Sequence, residues 1–334
     1  MLLTWTNKLK RALRALFFDV FSFDALVRAV ILFVCVVNAN VHAKEVMLNP
    51  QAAKVVLSNT INIVEEHYLN LQPGINLLKA LETKVQYGLR AEQISNYQLA
   101  KELDELLREE SGDNYFSVTV KEPIALKHSS LSSKDSSSPT EASKMLTTDI
   151  GYLRIEKFSS SLAAEQELSL SMAKLEFAKA LIIDLRHTEG ESLSYAQKLM
   201  SYFMPAEISL SKVATQSGEQ NMSAISNDLN FSASSPFPLY ILLSGFSNTT
   251  AEFVGYTLQQ FDKAVVLGDN TIGSARFVKS LDIGHGLQLA LPVAQTIHPS
   301  TGDNWQNGGV SPDIGCKKDE CLVLAEQHAT SFLK

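Results

Sequence analysis

The residues of this chain best suited to chemistry lie in one turn. An apolar run ends at Leu243. It is followed by Ser244-Gly245-Phe246-Ser247-Asn248-Thr249-Thr250-Ala251-Glu252, where a helical pattern begins. Small hydroxyl side chains at a strand-to-helix turn sit beside the unpaired N–H groups of a helix N-terminus. A nucleophilic hydroxyl placed there gains backbone donors for a developing oxyanion. A structural reading competes. Thr249-x-x-Glu252 has the spacing of a capping box, with the Thr hydroxyl bonded to the N–H three residues on and Glu252 reaching back. Residue type alone favours the cap.

The elements around this turn are legible from periodicity. Residues 44–120 carry helical apolar spacing, as in Leu77, Leu78 and Leu81, and in Leu99, Leu103, Leu106 and Leu107. Pro73-Gly74 is expected to break the first pair of helices, and Ser95 or Asn96 to cap the third. Phe116 to Val120 alternates as a strand does. Residues 128–144 are rich in Ser and read as a flexible linker or loop.

From Ile150 the pattern becomes α/β. Residues 150–155, 180–185, 238–243 and 264–267 form short strands. Helical segments cover 162–179, 191–204 and 251–261. Strands that are apolar throughout and alternate with helices predict a mainly parallel sheet covered on both faces. Residues 206–237 are polar and small, the mark of a loop excursion. Residues 287–297 alternate again, and 321–334 suit a terminal helix.

The N-terminus is basic through Lys8, Lys10, Arg11, Arg14 and Arg28. An apolar run from Ala29 to Val37 follows, and then Val41-His42-Ala43. This is the pattern of a secretory signal peptide cut after Ala43. The alternative is an uncleaved anchor whose span starts near Phe23. Cleavage removes five basic and two acidic residues and leaves 24 basic against 34 acidic, a net charge of −10. With no basic block elsewhere, nucleic acid is not an expected partner. A membrane would be engaged only through an uncleaved signal segment. Cys316 and Cys321 could form a small loop disulfide in an oxidising compartment; the alternative is two free thiols. Two thiols with no paired histidine argue against zinc. No metal or cofactor is expected.

Four motifs resemble the C-terminal-processing, or tail-specific, serine protease family. They are Ile150-Gly151-Tyr152-Leu153-Arg154-Ile155; Leu181-Ile182-Ile183-Asp184-Leu185-Arg186 before Gly190; the Thr249–Glu252 turn with Val266-Leu267-Gly268-Asp269-Asn270-Thr271; and His298-Pro299-Ser300-Thr301-Gly302-Asp303-Asn304-Trp305 closing in Gly309-Val310-Ser311-Pro312-Asp313-Ile314. The pattern is most similar to the branch holding the tricorn core and the interphotoreceptor retinoid-binding modules. The resemblance implies an α/β fold with a tail-specific-protease (ClpP/crotonase-like) core, an N-terminal helical domain and no PDZ domain. It divides the chain into a signal peptide (1–43), a helical domain (44–120), a Ser-rich linker (121–147), the protease-like domain (148–315) and a C-terminal helix (316–334).

The resemblance also fixes where catalytic residues should stand, and this chain departs at each. The branch's nucleophilic serine falls at Thr249, its histidine base at Tyr115, and the glutamate after its tryptophan at Gln306. The other branch's dyad lysine falls at Ser274. The glycine-rich oxyanion turn reads His187-Thr188-Glu189-Gly190-Glu191, with Glu191 at a usual glycine. Threonine can attack but needs a base. A phenol, with a reference pKa near about 10, replaces imidazole poorly. Losing members of a coupled triad costs orders of magnitude in rate. An alternative set pairs Ser247 with His187. His298 lies in a second loop expected near the cleft, and Trp305 is expected to anchor packing. The implied function is an exported, peptidase-fold protein that binds a peptide or unfolded segment without ordinary proteolysis. The alternatives are an active serine-type endopeptidase and a carrier of a hydrophobic ligand.

Overall fold

The computed structural model describes residues 45–69, 71–88, 93–121, 142–231, 236–317 and 320–334. The expected signal segment and residues 128–141 of the Ser-rich stretch lie outside them. Residues 47–120 and 130–334 belong to one compact unit. Of the other, 1–46 with 121–129, only Glu45, Val46 and Lys121 are described. No helix among the described residues is long and apolar enough to cross a membrane.

A short strand β1 (Met47–Leu48) pairs with β2 (Ile94–Ser95). Helix α1 (Pro50–His67) starts where the Asn49 side chain accepts from Ala52 N, with Pro50 in the first turn. Helix α2 (Leu71–Thr83) follows. The first helix ends at His67 and the second begins at Leu71, so Pro73-Gly74 lies inside the first turn of α2 and not between the helices. Proline is tolerated there because first-turn N–H groups have no helical partner. Helix α3 (Asn96–Ser111) is capped by Ser95 and stopped by Gly112 in the left-handed region. Strand β3 (Ser117–Val120) comes next.

The main sheet has six strands in the order β13-β10-β9-β6-β5-β4. They are β4 (Ala142–Met145), β5 (Ile150–Arg154), β6 (Ala180–Asp184), β9 (Leu239–Leu243), β10 (Val265–Gly268) and β13 (Ile314–Gly315). All neighbours run parallel except β4, which lies antiparallel to β5. Helices α4 (Leu162–Ala173), α5 (Leu193–Ser201) and α6 (Thr249–Gln260) cover one face, and α7 (Cys321–Phe332) the other. Strand alternation explains the layers. In β6, Leu181 and Ile183 pack with α4, α5 and α6, while Ala180 and Ile182 pack with Ala325 and Ala329 of α7. The mainly parallel, doubly covered sheet agrees with the pattern read from the sequence.

A second sheet has the order β11-β12-β7-β8, with β3 also paired to β12. Its strands are β7 (Ser209–Thr215), β8 (Gly218–Ser223), β11 (Arg276–Gly284) and β12 (Leu287–Ile297). The segment 206–237 is therefore not a plain loop. β8 is largely exposed and carries no apolar alternation, so periodicity could not reveal the hairpin. His285 sits at the β11–β12 hairpin tip, with φ 52°.

The helical segment is not tethered through a linker alone. Leu99, Leu103 and Phe116 share a core with Ile283, Leu287, Leu289 and Leu291 of the second sheet. That shared core carries the end of α3, and Tyr115 with it, to the carboxyl ends of the main-sheet strands. Ala142–Met145, inside the expected linker, is a strand of the main sheet. Cys316 and Cys321 are joined by a disulfide, with Cα atoms 5.3 Å apart. Cys321 is buried at the start of α7.

Candidate active site

Strand β9 delivers the chain to the turn before α6. There the helix is capped by Asn248, whose side chain accepts from Ala251 N at 3.0 Å. The expected capping box does not form. Thr249 is the first helical residue, and its hydroxyl is released from capping. It donates to Ser274 Oγ at 3.0 Å.

Glu252 is turned the other way. Buried at 1% exposure, its carboxylate accepts from Gly273 N (2.7 Å), Ser274 N (2.9 Å) and Trp305 Nε1 (3.1 Å). It therefore locks the loop carrying Ser274 against α6. Trp305 also donates to Ser274 O at 2.9 Å and stacks on Phe253, so it is the packing anchor expected.

Tyr115 arrives from the second layer. Its hydroxyl donates to Ser274 Oγ at 3.2 Å and accepts from Gln306 Nε2 at 3.0 Å. Gln306 Oε1 accepts from Ala275 N at 3.0 Å. Thr249, Ser274, Tyr115 and Gln306 thus form one hydrogen-bonded chain drawn from four separate segments. These are the four positions that the resemblance marked.

Tyr115 is held from behind. Asp113, buried just after Gly112 ends α3, accepts from Tyr115 N (3.0 Å), Tyr68 OH (3.2 Å) and Arg276 Nη1 (2.8 Å). The Arg276 guanidinium stands 5.5 Å from the centre of the Tyr115 ring. Burial, reinforced by the Asp113 charge, pushes the Tyr68 hydroxyl far up, so it remains a donor. Sequence patterning missed Asp113 and Arg276 as positioning residues. They meet across 163 residues, and no local spacing announces that pair.

The turn expected to offer oxyanion donors follows β6. Gly190 has φ 75°, and a Cβ there would come within 2.5 Å of Phe158 O, so only glycine fits. Its carbonyl accepts from the Asn248 side-chain amide, which ties the turn to the α6 cap. Next to it, Glu191 Oε2 accepts from Val278 N at 3.3 Å, beside a bulge in β11. Glu191 as a residue is exposed. Even so, partial loss of water raises its carboxyl above the ordinary value, opposed by the Val278 N–H.

The alternative pair does not assemble. Ser247 is buried, donates to Leu185 O at 2.9 Å and accepts from Ser244 N at 3.0 Å. It stitches the β9 loop to the β6 loop. His187 is exposed, its ring 6.3 Å from that of Phe246, and no hydrogen bond among the described residues joins it to Ser247. His298 is not at the site either. It is buried against Phe261, which follows the far end of α6, with ring centres 4.5 Å apart. Burial lowers its pKa.

In chemical terms, the site offers hydroxyl donors, an amide and a helix N-terminus. The Thr249 and Ser274 hydroxyls bond to each other and to a phenol. Among the described residues, the hydrogen bonds of these two hydroxyls include none to an imidazole, amine or carboxylate. Residues that could hold a metal ion do not cluster among the described residues.

Comparison with known proteins agrees with this architecture. The family described as peptidase family S41 matches residues 149–316. The chain is 26% identical over 171 residues to the carboxy-terminal-processing protease of Bartonella bacilliformis, covering 50% of this chain and 38% of that protein. It is 25% identical over 166 residues to carboxyl-terminal-processing peptidase 3, chloroplastic, of Arabidopsis thaliana, covering 50% of this chain and 31% of that one. The matched region thus spans about a third of these curated relatives. Among solved structures, a photosystem II D1 C-terminal processing protease superposes with a TM-score of 0.58 at 15% identity, covering 80% of this chain and 93% of that one. A lipoprotein from Streptococcus agalactiae gives the same TM-score at 17% identity, covering 85% and 98%. With the family match extending over half of its length, this chain belongs to peptidase family S41, the family of the carboxyl-terminal-processing proteases.

Proposed function

We propose that this chain is an exported, peptide-binding member of the S41 family that has lost ordinary proteolysis. One observation carries the reading. The Thr249 hydroxyl, at the nucleophile position, donates its hydrogen bond to Ser274, which is bonded in turn to a phenol held by an amide. Nothing in that chain is a base strong enough to take a proton from an attacking alcohol. Glu191 adds a negative charge beside the turn where an oxyanion would form, which disfavours that charge further.

On this reading the peptide-binding groove lies at the carboxyl ends of the parallel strands, where α/β sheets bind ligands. It lies beside the Arg276 end of β11, a sheet edge to which an extended peptide could add. Export rests on the basic N-terminal segment, the apolar run 29–37 and Val41-His42-Ala43. The binding reading is tested by mixing the purified chain with a fluorescently labelled unfolded protein, such as denatured casein. It expects a rise in anisotropy with intact substrate recovered afterwards. Recovery of cut casein with the wild-type chain, lost in Thr249→Ala, would instead identify an enzyme.

That second reading, a threonine-dependent endopeptidase, has one observation in its favour. Thr249 is not consumed as a cap and stands at the first position of α6, beside unpaired backbone N–H groups.

A further inference from the structure

Three adjacent parallel strands, β6, β9 and β10, end in loops on the same side of the sheet. With neighbouring strands about 4.8 Å apart, these loops lie within roughly 10 Å of one another. Each presents one exposed ring or branched apolar side chain: His187 after β6, Phe246 after β9 and Ile272 after β10. Phe246 is 80% exposed and Ile272 74% exposed, among the most exposed large apolar residues described. Their loops are nonetheless braced. Ser247 N donates to Ser244 O at 2.9 Å, and Gly273 N donates to Glu252 at 2.7 Å. Apolar side chains held out to water on rigid loops, within three residues of Thr249 and two of Ser274, contribute nothing to the core.

The charges around them are unbalanced. Glu189, Glu191 and Asp269 are exposed on the same set of loops, against exposed Lys157 on the loop after β5 and Lys279 on β11, while Arg276 is paired with Asp113. Arg186 is engaged by Asp184, at 2.6 Å and 2.8 Å. A free peptide carboxylate entering here would meet negative charge, and a basic side chain would be attracted.

Building on the peptide-binding reading of this groove, we infer that Phe246 and Ile272 are specificity residues. They select an internal extended segment in which an aromatic or branched apolar side chain stands next to a lysine or arginine. The apolar side chain is gripped between Phe246 and Ile272, with His187 extending the Phe246 wall, and the basic one faces Glu189 and Glu191. The groove thereby disfavours a chain end, in contrast to what the names of its relatives describe.

The test is to pan a phage-displayed library of random dodecamers on the full chain and on the double variant Phe246→Ser/Ile272→Ser. Selected sequences are then remade as free acids and as amides for anisotropy titration at two salt concentrations. The expected result is enrichment of apolar-basic pairs and at least tenfold weaker binding by the double variant. Amides should bind no worse than acids, and Glu191→Gln should lessen the loss of affinity in salt. Peptides without that pattern, equal binding by the double variant, or tighter binding of free acids would overturn the inference and leave the peptide-binding reading standing. Selection of no peptide by either protein would remove that reading, and this inference with it. A double variant that instead changes the sedimentation of the chain would show the rim to be a contact between copies, which also overturns the inference.

Discussion

Thr249 Oγ1 and Ser274 Oγ, 25 residues apart in sequence, are joined by a hydrogen bond of 3.0 Å. One stands where the family resemblance puts a nucleophile and the other where it puts a dyad lysine. Replacing both is therefore an informative repair. The variant Thr249→Ser/Ser274→Lys should acquire slow fluorophosphonate labelling, because it supplies an unhindered alcohol and an amine beside it. A folded variant that stays unlabelled would place the defect in the Glu191 turn as well.

Asp113 organises the residues behind Tyr115. Its carboxylate, with a side chain 5% exposed, holds Arg276, 26% exposed, at 2.8 Å, and also bonds Tyr68 and the Tyr115 backbone. Asp113→Ala should destabilise the chain by about 2–3 kcal/mol, below the full cost of a buried pair because Arg276 keeps some water. Urea unfolding monitored by circular dichroism measures it. A change under about 0.5 kcal/mol would show that the network forms without Asp113.

Glu252 is a brace. Glu252→Gln turns one acceptor into a donor facing backbone N–H groups, and should cost about 2–4 kcal/mol in the same experiment. In Glu252→Ala the bond from Trp305 Nε1 to this side chain is lost outright, read as a changed tryptophan emission maximum. A wild-type midpoint and spectrum would remove Glu252 from this role.

His298 makes stability pH-dependent in a known direction. Burial lowers its folded-state pKa below 6.5. Below that pH the unfolded chain takes up a proton that the folded chain resists. Stability is therefore unaffected above about pH 6.5 and falls as the pH drops under it. His298→Leu should flatten this fall, read as a smaller loss of urea midpoint between pH 7 and pH 5 than in the wild type. An equally steep fall in the variant would mean that other groups dominate.

Much of this site is legible in the sequence, for a reason that also sets the limit. Motif order placed Thr249, Tyr115, Ser274 and Gln306, and all four meet in one hydrogen-bonded chain. The apolar strands announced the parallel sheet because both of its faces are buried. What stayed hidden was long-range or exposed. Glu252 looked like half of a capping box because its actual partners lie 21 to 53 residues away. Asn248, the residue that does cap α6, stood next to Thr249 and offered the same local signal. The β7–β8 hairpin lacks the apolar alternation by which strands are read.

The claim that the groove binds without cutting is tested most directly by active-site labelling. The purified chain would be treated with a fluorophosphonate probe and an unfolded protein substrate, with Thr249→Ala and Ser247→Ala as controls. Neither labelling nor cleavage by folded wild-type protein is expected, because among the described residues Thr249 bonds to Ser274 and to no base, and the Ser247 hydroxyl is bonded to Leu185 O. Labelling and cleavage that vanish in Thr249→Ala would contradict the account and make the chain a threonine-dependent peptidase.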